Sequence, residues 1–187
     1  NFLEEKGYKN ITAEVCPHHF ILSSDDIRRD DPDFKMNPPL RTKKDVEALK
    51  KALQDDSIQV ISTDHAPHSA KEKTGSMKNA PFGIVGLETS LPLTYTELVE
   101  KKVLTLKQMV EKMCWNPAQI LGLESGTIQE GHPADVIIVD TEKAYVIDRN
   151  KFVSKGHNTP FDGWKVKGKV LCTICDGKIV YENQEEK

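Results

Sequence analysis

The pattern of apolar and polar positions in the first part of the chain predicts a strand, a helix and a second strand. Residues 10–15 form a short strand-like segment, followed by a loop over 16–19. Thr42 with Asp45 three positions later is a capping-box start for a helix. The apolar face of this helix consists of Val46, Leu49, Ala52 and Leu53. The β-branched run 58–62 predicts a core strand, and the resulting β-α-β unit favours a parallel sheet or barrel.

The middle of the chain combines a long loop with helices. Residues 65–87 show little periodicity and predict a loop that leaves the end of the strand 58–62. Three helices are predicted to follow. The first covers residues 91–101, and the second begins at the capping box formed by Thr105 and Gln108. The third begins at Asn116-Pro117 and stops at Gly122. The second of them carries an apolar stripe of Leu106, Met109, Val110 and Met113.

From Gly126 onward, short β segments separated by glycine turns predict a small sheet or sandwich. These segments are residues 134–140, 145–147, 165–167, 170–175 and 178–181. Asp176-Gly177 predicts a tight hairpin turn between the last two. Cys172 and Cys175 match a C-x-x-C motif, but strand residues three apart point to opposite faces, so we expect no metal or redox role for the pair.

Composition narrows the class of protein. The chain has 187 residues, 37% apolar and 29% charged, with a net charge of −3. Acidic and basic residues are interspersed, which argues against nucleic-acid binding. The sequence contains neither a membrane-length apolar run nor a signal peptide, so we expect a cytoplasmic protein with reduced thiols. It begins at Asn1 rather than Met, and we expect it to be part of a longer chain.

The candidate chemistry begins with Thr63-Asp64-His65-Ala66-Pro67-His68. Asp64 ends the strand 58–62, and two histidines follow it. Metals and ligands are bound at the carboxyl ends of strands in α/β folds, so this acid is a candidate metal ligand or catalytic group. On spacing alone, a turn-forming or capping Asp is the competing interpretation.

Four segments stand in order along the chain: Ala13–His19, Lys35–Arg41, Thr63–His68 and Ala80–Gly86. Together they resemble the C-terminal half of the bacterial dihydroorotases, a family of the amidohydrolase superfamily. The resemblance continues into Gly126-Thr127-Ile128, Gly131, Ala134-Asp135 and Asn158-Thr159-Pro160-Phe161. It therefore covers nearly all of the sequence.

This resemblance implies an α/β fold: the C-terminal part of a metal-dependent (β/α)₈ barrel, plus a small β-sandwich-like appended domain. The last strands and helices of the barrel would occupy residues 1–124, and part of the β domain residues 125–187. A whole barrel needs roughly 250 residues, so only about the last two strands fit here. The family's His-x-His metal motif is absent from the sequence, and Asp64 is the one family metal ligand that it contains.

The resemblance also implies an activity, the zinc-dependent reversible cyclisation of N-carbamoyl-L-aspartate to dihydroorotate in pyrimidine (UMP) biosynthesis. Asp64 would be both a ligand of the binuclear zinc site and the proton shuttle. Asn37 would bind the pyrimidine ring, His68 the substrate carboxylate, and the backbone of Phe82 and Gly83 the ring amide. As alternatives, Asn37 only shapes a turn beside two prolines, and His68 is a surface residue.

The neighbouring histidines are given lesser roles. We expect His65 to orient Asp64. His18 and His19 are expected to be structural, since adjacent residues at a strand end point in opposite directions.

Two other functions remain open at this stage. One is a sister cyclic amidohydrolase, a hydantoinase or allantoinase, against which Asn37 and His68 argue. The other is a non-catalytic dihydroorotase-like subunit that binds a partner, because one metal ligand cannot hold a binuclear site. We expect the isolated 187 residues to be inactive and the full-length enzyme to be a homodimer.

Overall fold

The computed structural model describes residues 6–7 and 11–183, which form a mixed α/β structure as predicted. The chain divides into two compact units. The first unit comprises Asn1–Ser90 and Ile147–Trp164, and the second comprises Leu91–Val146 and Lys165–Lys187. The predicted boundary after residue 124 falls inside the second unit. The division into a catalytic barrel and a β domain stays a prediction.

The first unit begins with a short strand, β1 (Glu14–Val15), and a one-turn helix, α1 (Pro17–Ile21). Pro17 suits the first helical turn because its missing N–H would have no intrahelical partner there. The predicted loop over residues 16–19 is therefore wrong, since a single turn is too short to show helical periodicity. Of the predicted strand 10–15, only the end is strand, and Asn10 lies outside the described residues.

Helix α2 (Lys43–Gln54) and strand β2 (Val60–Ile61) complete the predicted β-α-β unit. The capping box is confirmed, because the Thr42 N–H donates to Asp45 Oδ2 at 3.0 Å and Thr42 Oγ1 accepts from the Asp45 N–H at 3.4 Å. Strands β1 and β2 pair in parallel, as predicted. Such a pair requires a crossover connection, which α2 provides.

Apolar side chains from both segments of the first unit are buried. They include Val15, Phe20, Leu22, Met36, Val46, Leu53, Ile61, Ile84, Val85, Ile147 and Phe161. Single 3₁₀ turns cover Ser24–Asp26, Pro32–Phe34 and Arg149–Lys151. Between β2 and Ser90 the chain forms no helix or named strand, which confirms the long loop predicted over 65–87.

Two longer helices follow the loop. Helix α3 is α-helical over Ser90–Thr94 and π-helical over Tyr95–Glu100; helix α4 is α-helical over Leu106–Val110, π-helical over Glu111–Trp115 and α-helical over Asn116–Leu121. The capping box at Thr105 and the left-handed stop at Gly122 (φ 66°) are confirmed. The predicted α-helix from Asn116 to the stop at Gly122 is present, but it continues the preceding π-helical turn without a break, because Trp115 already has helical dihedral angles.

The apolar stripe predicted on α4 is only partly buried. Met109 is 6% exposed, whereas Leu106 and Val110 are 50% and 43% exposed. Leu106 and Val110 lie in the α-helical part of α4, and nothing in the helix geometry explains their exposure; beyond Val110 the π-helical turns contain more residues than α-helical turns, so the 3.6-residue period no longer applies there. Lys112, at 1% exposure, is buried in this segment instead.

The β part of the second unit consists of small antiparallel sheets. Its strands are β3 (Val136–Asp140), β4 (Tyr145–Val146), β5 (Lys165–Val166), β6 (Lys169–Cys175) and β7 (Lys178–Glu182). Their order is β3-β6-β7 in one sheet and β4-β5 in the other. Asp176 and Gly177 turn the β6–β7 hairpin with φ of 49° and 72°, as predicted. None of the helices within residues 6–7 and 11–183 has the length and apolarity of a membrane span.

Candidate functional site

Asp64 lies just beyond the carboxyl end of β2, where the parallel pair β1–β2 ends. Its φ of 47° is in the left-handed region, which Asp tolerates better than most residues. The side chain is exposed and takes no hydrogen bond from the described part of the chain. An unpaired carboxylate at a strand end can accept a proton or a metal ion.

An open pocket of about 680 Å³ brings Asp64 together with Asn37. Cys16, His19 and Arg41 also line this pocket. Its size lies in the range of small-molecule sites. The peptide bond that follows Asn37 is cis. Two of the predicted site residues thus meet in one cavity, although they are 27 positions apart in the sequence.

The other three predicted site residues lie outside this lining and contact one another. The His68 ring Nε2 is 2.9 Å from the Phe82 carbonyl oxygen. A carbonyl oxygen can only accept, so Nε2 carries the hydrogen, and in the neutral ring Nδ1 is an acceptor. The Gly83 N–H donates to the Lys35 carbonyl at 2.8 Å. Within the described residues the Phe82 N–H has no acceptor, so this backbone can offer a ligand that donor and the second lone pairs of the Phe82 and Gly83 carbonyls.

Gly83 occupies a position that only glycine fits. Its φ is 102°, and a Cβ there would lie 2.4 Å from the Ala66 Cβ. Close to it, the Lys35 ammonium lies 4.5 Å from the centre of the Phe82 ring and donates to the Ala80 carbonyl at 2.6 Å. The loop that carries Phe82 and Gly83 is thus held from one side by Lys35.

His65 has partners other than the predicted one. Its Nδ1 accepts hydrogen bonds from the backbone N–H groups of Gly86 at 3.0 Å and Leu87 at 3.3 Å. Its backbone forms a parallel bridge with Ile84. His65 therefore ties the two ends of the long loop together, and in the described residues it makes no hydrogen bond to Asp64.

His18 and His19 do not point in opposite directions, because they lie in helix α1 rather than at a strand end. Their ring centroids are 4.2 Å apart, and with Cys16 they form a group whose ligand atoms all lie within 4.8 Å of one another. Cys16 Sγ is 3.4 Å from the Ser62 hydroxyl, and His19 Nε2 is 2.8 Å from the Pro38 carbonyl. Two members of the group therefore already have partners.

Burial keeps two members of this group neutral. It raises the pKa of the Cys16 thiol to about 11 and lowers the pKa of His18 to about 3. Cys16 would bind a metal only after losing its proton. Within the described residues, His18 Nε2 is buried without a hydrogen-bond partner. A structural role for the two histidines stays our interpretation.

Asn158 is a residue of this region to which the sequence analysis assigned no role. It is 4% exposed, and its side chain hydrogen-bonds to backbone groups of Ala66, His68 and Gly83. It lies in the segment 158–161 that contributed to the family resemblance. The signal that the sequence offers for Asn158 is a polar residue in a segment that contains a proline. Its hydrogen-bond partners lie 75 to 92 positions away, so this segment does not indicate them.

Known proteins resemble the chain along most of its length. A dihydroorotase of Bacillus cereus (strain AH820) and one of Bacillus cytotoxicus are each 51% identical over 174 residues, 93% of this chain. Among solved structures, an L-hydantoinase (dihydropyrimidinase) from Arthrobacter aurescens matches with a TM-score of 0.89 and 33% identity over 96% of the chain. A dihydropyrimidinase from Brevibacillus agri NCHU1002 matches with a TM-score of 0.89 and 26% identity over 96% of the chain.

The chain spans 41% of the length of the curated relatives that it matches, and 41% of those two solved chains. Residues 12–180 match the amidohydrolase family. That match includes all five predicted site residues and strands β1 to β6, and it ends within β7. The chain belongs to the amidohydrolase family.

Proposed function

We propose that this chain is the carboxyl part of a dihydroorotase, which interconverts N-carbamoyl-L-aspartate and dihydroorotate in pyrimidine biosynthesis. The observation that carries the proposal is the 51% identity to Bacillus dihydroorotases over 93% of the chain. We further propose that residues 1–124 supply the last strands and helices of a (β/α)₈ barrel and that residues 125–187 belong to a small β domain. The complete protein is proposed to be a cytoplasmic homodimer.

The amidohydrolase family is generally metal-dependent, and Asp64 suits a metal ion. Its carboxylate is exposed, lines a pocket and takes no hydrogen bond from the described residues. Zinc is the metal that we propose, with its remaining ligands outside this chain. When bound, it would lower the pKa of water and polarise a carbonyl group.

The proposed chemistry of this chain is a proton transfer by Asp64. In the hydrolytic direction, Asp64 takes a proton from the attacking water and delivers it to the ring nitrogen as the ring C–N bond breaks. In cyclisation it performs the same transfers in reverse. Its exposure to the pocket gives it access to both partners of the transfer.

Four residues are proposed to bind the substrate. The Asn37 side-chain amide offers a donor and an acceptor to the pyrimidine ring from the wall of the same pocket. His68 contacts the substrate carboxylate, and the free lone pairs of the Phe82 and Gly83 carbonyls meet the ring amide. Because His68 Nε2–H already donates to Phe82, binding a carboxylate requires either a second ring proton or release of that bond.

The test is to express the protein from its complete gene and assay both directions of the reaction with and without a chelator. We expect activity to require metal and to fall at least about 100-fold in Asp64→Asn. Asp56→Asn is the matched control, because Asp56 also has a left-handed φ, of 61°, in the turn after α2. Activity that survives both chelation and Asp64→Asn would refute the proposal.

A hydantoinase is the second candidate, favoured by the structural match to an L-hydantoinase at a TM-score of 0.89. A panel of dihydroorotate, hydantoin and allantoin separates the two. We expect turnover of dihydroorotate and a selective loss of it in His68→Asn. A non-catalytic subunit would turn over none of the three rings. We expect the isolated 187-residue chain to be inactive, because Asp64 alone cannot hold a binuclear metal site.

A further inference from the structure

The side chain of Asn158 uses both of its N–H donors and one of the two lone pairs of its Oδ1 on the loop that follows β2. Its Oδ1 accepts from the His68 N–H at 2.9 Å. Its Nδ2 donates to the carbonyls of Ala66 at 3.0 Å and Gly83 at 3.1 Å. One amide therefore connects the backbone next to His68 with the backbone of Gly83.

The main chain around Asn158 packs directly against the same loop. A Cβ at Gly156 would lie 2.7 Å from the His68 nitrogen and 2.8 Å from the Pro67 Cα, so no side chain fits there. The Asn158 carbonyl in turn accepts from the Val85 N–H at 3.0 Å. The backbone of both Gly156 and Asn158 thus contacts the loop directly, and the Asn158 side chain adds further hydrogen bonds to it, which leaves little freedom for the loop.

One of these bonds, to the Gly83 carbonyl, is buried, and those to Ala66 and His68 are partly buried. Asn158 is 4% exposed, and its bond to the Gly83 carbonyl is fully buried. Removing the amide would leave donors and acceptors unsatisfied, a larger cost than loss of an exposed bond. The loop would then move to find new partners.

We infer that Asn158 is a positioning residue of the active site, an inference that rests on the proposed dihydroorotase function. It contacts no substrate itself. It sets the separation between His68, proposed to bind the substrate carboxylate, and the Phe82–Gly83 backbone, proposed to bind the ring amide. Because one side chain fixes both, its loss misplaces two substrate contacts at once.

A merely structural Asn158 would lower stability without changing substrate recognition. A positioning Asn158 changes the affinity for dihydroorotate and leaves the proton transfer by Asp64 largely intact. The ratio of the effects on KM and kcat therefore separates the two roles.

The experiment uses the protein expressed from its complete gene, with Asn158→Ala and Asn158→Asp. The Asp variant keeps the acceptor for the His68 N–H but removes both donors to the carbonyls of Ala66 and Gly83. Leu53→Ala is the control for lost stability, since Leu53 is fully buried in α2. Asn150→Ala is the control for loss of an amide, since Asn150 is exposed and, within the described residues, its Nδ2 donates to Asp148 alone.

We expect both Asn158 variants to raise KM for dihydroorotate roughly tenfold or more, with kcat changed less than about threefold. Leu53→Ala should lower Tm with KM unchanged, and Asn150→Ala should change neither. An unchanged KM in Asn158→Asp, or a loss of activity that only follows Tm as in Leu53→Ala, overturns the inference.

Hydrogen exchange of the backbone amides of Ala66, His68 and residues 82–85 gives a second readout that needs no activity. Faster exchange of these amides in Asn158→Asp than in Leu53→Ala supports the inference that Asn158 holds the loop in place, and equal exchange overturns it. If the wild-type protein has no dihydroorotase activity but Asn158→Asp still exchanges faster than Leu53→Ala, the proposed function is refuted while the role of Asn158 in holding the loop stands.

Discussion

Arg149 and Asp33 form an ion pair across 116 positions of the sequence, with Nη1 3.0 Å from Oδ2. Arg149 also donates to the Thr159 carbonyl at 2.6 Å. The Asp33 side chain is only 12% exposed, and burial raises its pKa while the nearby guanidinium opposes that rise. The pair thus joins the segment 147–164 to the segment before residue 90 within the first unit.

Removal of Arg149 should destabilise the protein because it leaves the Asp33 carboxylate buried and unpaired. We expect Arg149→Ala to cost about 2 to 3 kcal/mol, toward the low end for buried pairs because Arg149 is one-third exposed. Asp33→Asn in the Arg149→Ala background should recover part of this loss. Denaturant unfolding of the four proteins of the cycle measures the coupling, and purely additive effects would contradict it.

Gly83→Ala should disrupt the loop by strain and by a clash together. The positive φ costs about 1 kcal/mol, and the overlap with Ala66 adds a further 1 to 3 kcal/mol. Gly75→Ala is the matched control, since Gly75 has φ 83° in the same loop but open space around it. Ala66→Gly should rescue Gly83→Ala in part by removing the overlapping methyl group. Thermal unfolding and dihydroorotate turnover are the measurements, and equal effects at Gly75 and Gly83 would contradict the argument.

The buried His18 should make stability depend on pH. Burial, with a smaller effect of His19, lowers its pKa from 6.5 to about 3. Between these values the unfolded chain binds a proton that the folded chain does not, so the free energy of unfolding falls as pH drops from about 6.5 toward 3. The slope for one proton is about 1.4 kcal/mol per pH unit.

His18→Gln should flatten this slope by about one proton in denaturant unfolding measured across that pH window. His132→Gln is the control, since His132 is exposed. An identical slope in wild type and His18→Gln would show that His18 is not the group responsible.

Local signals allowed parts of the fold to be predicted. The capping boxes at Thr42 and Thr105 and the hairpin turn at Asp176-Gly177 depend on neighbours within a few residues, and all are confirmed. The parallel pairing of β1 and β2 could be predicted because a helix connects the two strands. The π-helical stretches were missed because nothing in the sequence marks a change from the 3.6-residue period.

The site was harder to predict than the fold. Asn37 and Asp64 could be selected from motifs, and the pocket brings them together. The partners of Asn158 and the pairing of Arg149 with Asp33 could not, because no local pattern encodes contacts between segments 75 or more positions apart. His65 was predicted to orient Asp64 only because the two residues are adjacent in the sequence. In the structure the far end of the loop returns to His65, and the N–H groups of Gly86 and Leu87 donate to its ring.

The left-handed backbone at Asp64 restricts which residues could ever replace it. At φ 47°, Asn, Asp and Gly are tolerated, while Glu, the chemically nearest alternative acid, would be strained. The proposed proton transfer requires a carboxylate at this position and the backbone favours a short side chain, and Asp alone among the standard residues satisfies both. Random mutagenesis of codon 64 should therefore return folded variants with Asn or Gly, and active ones with Asp only.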